Sequence, residues 1–255
     1  MQHIDSGSTL RNFRLTISYD GRQFHGWQIQ NNAMTVQEAF QTALSKIIGD
    51  DFDLKGCSRT ESGVHANMYC ISLKTSHPIA DIRLKAALNR WLPLSIAVLD
   101  CEEADIDFHA RYSCTSKEYI YKIWNTEVRN PFLDGYALHY RYKLDEDMLN
   151  SAAQAYVGTH DFTSFCTLDS REKGDMIRTV KAFSVTREGN LVTMKVEADG
   201  FLYNMVRIMV GTLLRIQQGK IPVDGIAGII EKKDRKFAGP TAQPCGLYLN
   251  RVNYD

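Results

Sequence analysis

Residues 57–66 read CSRTESGVHA, placing a guanidinium (Arg59), a hydroxyl (Thr60) and a carboxylate (Glu61) in consecutive positions before Ser62 and Gly63. One reading is a polar turn between strands, with Thr60 or Ser62 bonded to nearby backbone and Glu61 solvated. The other is a carboxylate held at a strand end and kept ionised by neighbouring positive charge, available as base or nucleophile. Gly63 would then allow a ligand close to the backbone. A second charge stands out at Arg207 in NMVRIMVGTLL, a helix that is otherwise apolar. Burying an ion without a partner costs several kcal/mol, so Arg207 must face a carboxylate or polar cleft, or snorkel outward.

Other vocabularies are missing. The chain has no GxSxG elbow, Walker loop or GxGxxG after a strand, so no nucleotide cofactor is expected. Its six cysteines and seven histidines form no CxxC or HExxH spacing, so the expected metal set is none and the cysteines read as reduced thiols. Aromatic residues in polar loops, Phe24 and Trp27 in RQFHGWQ and Phe162 and Phe165 in THDFTSF, suit either stacking on bases or fastening loops to the core.

Elements that must position these groups can be read from periodicity. FRLTISY (13–19) alternates as a strand ending at Asp20-Gly21, and TVQEAFQTALSKIIGD is a helix with Thr35 and Glu38 at capping-box spacing and Gly49 at the C-cap. A short strand running into a loop in DFDLKGCSRTESGVHA, a strand over 69–75, a helix over 81–91 with Leu84, Leu88 and Trp91 at helical spacing, and a buried strand SIAVLDCEEA follow. In the second half EYIYKIWN is a strand with Tyr119, Tyr121 and Ile123 on one face. LDEDMLNSAAQAYVG is a helix ending at Gly158, and IRTVKAFSVT and LVTMKVEA form a hairpin around REGN. A helix at NMVRIMVGTLLRIQQG, a shorter one at 223–231, a polar loop and the strand GLYLNRV complete the chain. The pattern is α+β with two related lobes, 1–108 and 109–255.

The 255 residues are 44% apolar and 24% charged, which excludes disorder and coiled coil as overall classes. Apolar runs too short to span a bilayer and a polar first dozen residues predict a soluble cytoplasmic protein. Thirty basic and thirty acidic residues give zero net charge, so an RNA partner must be argued from local placement.

YDGRQFHGWQ (19–28), TVQEAF, SRTESGVHA, FHARYS (108–113), KEYIYKI (117–123), HDFTSF (160–165), FLYNMVR (201–207), KKDR (232–235) and GLYL (246–249) together resemble the tRNA pseudouridine synthase A family, in order over nearly the whole chain. The resemblance implies two lobes of mainly antiparallel sheet forming one curved surface, helices on the outer face and an active-site cleft between the lobes. It also implies a homodimer that binds tRNA and converts uridine to pseudouridine in the anticodon arm without a cofactor. In the family pattern Glu61 stands at the catalytic carboxylate, Arg59 fills the stack left by the flipped base, Tyr119 packs on that base and assists proton loss, and Arg207 pairs with the carboxylate. Thr60, Arg22, Phe24, Trp27, Lys233 and Arg235 fall to substrate binding. The pattern carries aspartate at Glu61 and a small residue at Ser62. Two readings follow: an enzyme in which glutamate does the aspartate's work, favoured by retention of Arg59, Tyr119 and Arg207, and a non-catalytic or weakly active tRNA-binding or RNA-chaperone paralogue.

Overall fold

A computed structural model describes residues 9–167 and 174–254; the first eight of the polar N-terminal dozen lie outside the described residues. Among the described residues the fold is α+β with mostly antiparallel strands and five α-helices. The chain divides into two compact units, Met1–Cys114 with Tyr254–Asp255, and Thr115–Asn253.

In the first unit, strand β1 (Arg11–Tyr19) lies between β3 (His65–Thr75) and β4 (Ile96–Ala104), and β2 (Phe52–Gly56) also pairs with β3, all antiparallel. Phe13, Leu15, Ile17 and Tyr19 alternate along β1 and are all buried, as period-two alternation against a covered face requires. Helix α1 (Val36–Ile48) forms where its caps dictate: the Thr35 hydroxyl accepts from Glu38 N at 3.3 Å, and Gly49 leaves the helix at φ 77°. It buries Val36, Phe40, Ala43 and Leu44. Helix α2 (Asp81–Trp91) buries Leu84 and Leu88.

Two expectations for this unit change. Trp91 is 52% exposed, with the Lys46 ammonium 4.9 Å from its ring centroid, so the last turn of α2 holds its aromatic at the surface by a cation–π contact. β4 is half-exposed rather than buried throughout: Ile96, Val98 and Cys101 are inside while Leu99 is out, at the register shift where β1 pairs Ile17 with Val98 and Thr16 with Asp100.

In the second unit the strand order is β10 (Leu247–Tyr254), β5 (Cys114–Trp124), β9 (Leu191–Ala198), β8 (Ile177–Glu188), β7 (Gly158–Asp161), with β6 (Leu138–His139) pairing parallel to β5. The β8–β9 hairpin closes with Glu188 opposite Leu191 and Gly189 at φ 56°. Helices α4 (Met205–Gln217) and α5 (Gly225–Lys232) follow. The helix expected to reach Gly158 is shorter. Helix α3 (Glu146–Ala153) ends in one 3-10 turn, and Gly158, at φ 119°, opens β7 instead of capping a helix. In that 3-10 turn the Tyr156 ring is wholly buried against Phe165 (5.2 Å) and Phe183 (5.5 Å). Phe162 and Phe165 are likewise fully buried, so the THDFTSF aromatics fasten the loop to the core.

Candidate active site

The loop carrying Glu61 is built by close backbone approaches. β2 stops at Gly56, where a Cβ would lie 2.1 Å from the Tyr69 hydroxyl and 2.5 Å from the Trp27 ring. The chain then passes Tyr69, whose hydroxyl donates to the Ser58 carbonyl at 2.5 Å. Thr60 is buried, with its hydroxyl 2.8 Å from that of Tyr19 and its carbonyl accepting from Trp27 N at 3.2 Å. Glu61 opens a tight turn: its carbonyl accepts from Val64 N at 3.2 Å, and Gly63 takes φ 77°, a value open to glycine at little cost. Gly63 N in turn donates to Phe24 O at 3.2 Å. Thr60 is thus held inward on two sides, while Arg59 is exposed and Glu61 half-buried.

The facing loop explains its own aromatics. Trp27 is 4% exposed and stacks on Tyr69 at 4.3 Å and 26°, and Phe24 is 2% exposed. Of the two readings open for these rings, the structure places them in the one that fastens loops. Arg22 folds back on Asp20, its Nη2 2.6 Å and its Nε 3.0 Å from the carboxylate. Asp20 Oδ1 also lies 3.4 Å from Nδ1 of the buried His65. Gly21 fits only because it lacks a side chain, since a Cβ would be 2.0 Å from Val64 O.

In the second unit Tyr119 is buried on β5 with Phe201 edge-on at 5.0 Å and 82°. Arg207, in the first turn of α4, is half-buried, and its Nε donates to Ala242 O at 2.7 Å and its Nη1 to Asn204 Oδ1 at 2.9 Å. It does not snorkel. Asn204 adopts a left-handed conformation at φ 62° and donates from Nδ2 to Thr167 Oγ1 at 3.1 Å. The loop over 238–242 comes close to α4 because both contact positions are glycine: a Cβ on Gly211 would lie 1.7 Å from Pro240 O. The same loop receives Arg235, through Ala238 O (3.4 Å) and Thr241 Oγ1 (3.3 Å); burial lowers that guanidinium below its usual pKa.

Lys233 meets HDFTSF: its ammonium is 3.0 Å from Asp161. Burial works against ionising Asp161, but the Thr163 hydroxyl at 2.5 Å, Lys233 and the Thr163 N–H outweigh it and hold the carboxyl below its usual range. Ser164 Oγ ties the two blocks further, donating to Ile229 O at 2.6 Å and accepting from Asp234 N at 2.9 Å. Lys232 and Lys236 flank the Phe237 ring at 3.9 and 5.2 Å.

The structure therefore gathers Arg59, Thr60 and Glu61 with Arg22, Phe24 and Trp27 in one set of loops, and Arg207 with Arg235 on one loop of the second unit. Sequence reasoning missed the part of Tyr19, Tyr69 and Asn204 in holding these groups. Asn204 carried a signal, being a residue type that tolerates positive φ at the start of a helix. Among the described residues no group of three or more His, Cys, Asp or Glu side chains could hold a metal ion.

The first unit thus offers a carboxylate and an arginine on a pinned loop, within an α+β, mainly antiparallel scaffold. A family model described as tRNA pseudouridine synthase matches residues 15–113 and 152–255. The chain belongs to that family and is an RNA pseudouridine synthase by its membership. A relative from Acetivibrio thermocellus, named tRNA pseudouridine synthase A, is 44% identical over 245 residues, covering 96% of this chain and 100% of its own. One of the same name from Thermoanaerobacter sp. is 42% identical with the same coverage. A third, tRNA pseudouridine synthase A 2 of Bacillus cereus, is 38% identical over 246 residues, again covering 96% and 100%. Among solved structures the chain aligns with a Cbf5-Nop10-Gar1 complex at TM-score 0.39 and 11% identity, over 92% of this chain and 57% of that one.

Proposed function

We propose that the chain converts uridine to pseudouridine in the anticodon arm of tRNA, with Glu61 as the catalytic carboxylate. Family membership supports the reaction and tRNA as substrate. The observation that carries the role of Glu61 is the double hold on Thr60, which fixes the backbone directly before it. With that backbone fixed, glutamate in place of aspartate displaces the carboxylate by about one to one and a half Å, unless the side chain bends back, and a misplacement of that order costs roughly a hundredfold in rate.

A uridine stacked in an RNA arm must first be extruded, at a cost of roughly a few kcal/mol. Arg59, exposed beside Glu61, takes the vacated stack. The glycosidic bond from C1′ to N1 then breaks, the base turns, C1′ bonds to C5, and the C5 proton leaves as N1 gains one. No external group or redox partner enters. Tyr119 and Arg207 take the parts that the resemblance implies, the ring packing on the base and assisting loss of the C5 proton, the guanidinium as countercharge to the carboxylate. Thr60 holds the loop, while Arg22, Lys233 and Arg235 supply positive charge for phosphates and Phe24 and Trp27 brace the loop. The working form is a cytoplasmic homodimer, which sedimentation would check.

The experiment is pseudouridine formation on unmodified tRNA transcripts by the natural protein and by Glu61→Gln and Glu61→Asp. Glu61→Gln should abolish product while leaving tRNA binding intact. Turnover retained by Glu61→Gln, or none by the natural protein when it binds tRNA, would overturn the reading. In the second case the chain would be the non-catalytic binder.

A further inference from the structure

Residues 139–143 read HYRYK, a run of aromatic and basic side chains that none of the groups above uses. They follow β6 and precede α3, and have no regular backbone beyond His139. One buried side chain holds them in place. Asn125 donates from Nδ2 to Tyr140 O and to Tyr142 O, both at 2.7 Å, and accepts at Oδ1 from Leu144 N and from Arg187 Nη2, both at 3.0 Å. That uses both amide protons and both lone pairs of the amide. Tyr140 N donates to Trp124 O at 2.9 Å, and the fully buried Leu144 anchors the far end.

The backbone is fixed, yet the side chains face out. Arg141, Tyr142 and Lys143 are exposed, Tyr142 to 65%. Tyr140 stands edge-on to Tyr142 at 6.0 Å, and the Arg141 guanidinium is 5.5 Å from the Tyr142 ring. Arg141 and Lys143 border an open cavity of about 460 Å³ together with Arg187, Glu127 and Glu146. The Glu146 carboxyl is held low by its own backbone N–H and then by Arg187 at 2.9 Å; Lys143 adds a weaker pull. Arg141 forms no ion pair among the described residues.

We infer that residues 140–143 form an RNA-contact strip, in which Arg141 and Lys143 take backbone phosphates and Tyr142 stacks on an unpaired base. An aromatic face between two cations is the pattern that suits unpaired RNA, because every base has a face to stack and every nucleotide a phosphate. The fixed backbone means that little ordering is required on binding. A protein partner suits Lys143 less well, since lysine is depleted at protein interfaces, although tyrosine and arginine are enriched there. The strip lies between the two stretches that match the family model, 15–113 and 152–255. This inference rests on tRNA being the substrate.

The test uses full-length protein and an unmodified tRNA transcript, with Arg141→Ala/Lys143→Ala, Tyr142→Ala and Tyr142→Phe. The double variant should bind more weakly, with a slope of log affinity against log salt smaller by roughly 1.4 to 1.8. Tyr142→Ala should lose roughly five- to hundredfold in affinity, while Tyr142→Phe keeps it. Pseudouridine formation at saturating tRNA should persist, with half-saturation raised. Unchanged affinity and salt slope would overturn the inference, as would a changed oligomeric state at unchanged tRNA affinity, the mark of a protein interface. Strip-dependent binding by a protein that forms no pseudouridine would overturn the catalytic reading and support this one.

Discussion

Gly26 and Thr60 approach so closely that a Cβ on Gly26 would lie 2.3 Å from the Thr60 carbonyl oxygen. Gly26 also sits at φ 84°, which an L side chain reaches only at about 1–2 kcal/mol. Gly26→Ala should therefore lower stability by about 2–4 kcal/mol in denaturant unfolding. Because the loop must move to relieve the contact, turnover at a temperature where the variant is folded should fall by roughly tenfold or more.

Tyr19→Phe removes the bond to the buried Thr60 hydroxyl without changing ring volume. The cost should be about 1–2 kcal/mol of stability, the penalty for stranding a buried polar group. Thr60→Val should cost a similar amount, and the double variant less than the sum of the two. A double-mutant cycle in melting and in kcat checks both, with KM expected to change little.

Asn204 combines a left-handed backbone with two side-chain bonds, to Arg207 and Thr167. Asn204→Ala keeps the strain and loses both bonds, for about 2–3 kcal/mol. Asn204→Gly loses the bonds but relieves the strain, so it should be more stable than the alanine variant by about 1 kcal/mol. Turnover should drop equally in both if Asn204 works by orienting Arg207. A rate that tracks stability instead would assign it to folding alone.

Four carboxyls among the described residues lie below their ordinary values: Glu103 through its hydrogen bond to Arg11, Glu146 through its own backbone N–H and then Arg187, Asp161 against the opposing effect of burial, and Asp234 through its bonds to the Lys236 ammonium and N–H. Depressed folded values mean that the unfolded chain binds more protons in acid. Their stabilisation is complete above the ordinary carboxylate range and is lost as pH falls through the folded values. The melting temperature should change little on their account from about pH 8 to 5 and fall below about pH 4. Lys233→Met should move the acid limb upward by freeing Asp161.

Helix α1 was legible because its signals are local: Thr35 and Glu38 cap one end, Gly49 the other, and Phe40 and Ala43 mark the inner face. The Arg59-Thr60-Glu61 block was legible as chemistry because charge and hydroxyl are so densely placed, and nine blocks in register carried the family. Neither told which side chains turn inward. Trp27 is buried in a stack on Tyr69, and just past the end of α3 at Ala153 Tyr156 is buried between Phe165 and Phe183. Arg207 read as a charge in need of a partner; that Asn204 and Ala242 supply bonds to it became visible only when Gly211 let the loop over 238–242 approach. Caps, turns and periodicity act over a few residues and are written in the chain order. Burial and hydrogen-bond partnership are settled by packing between segments far apart in sequence, and only the tertiary structure decides them.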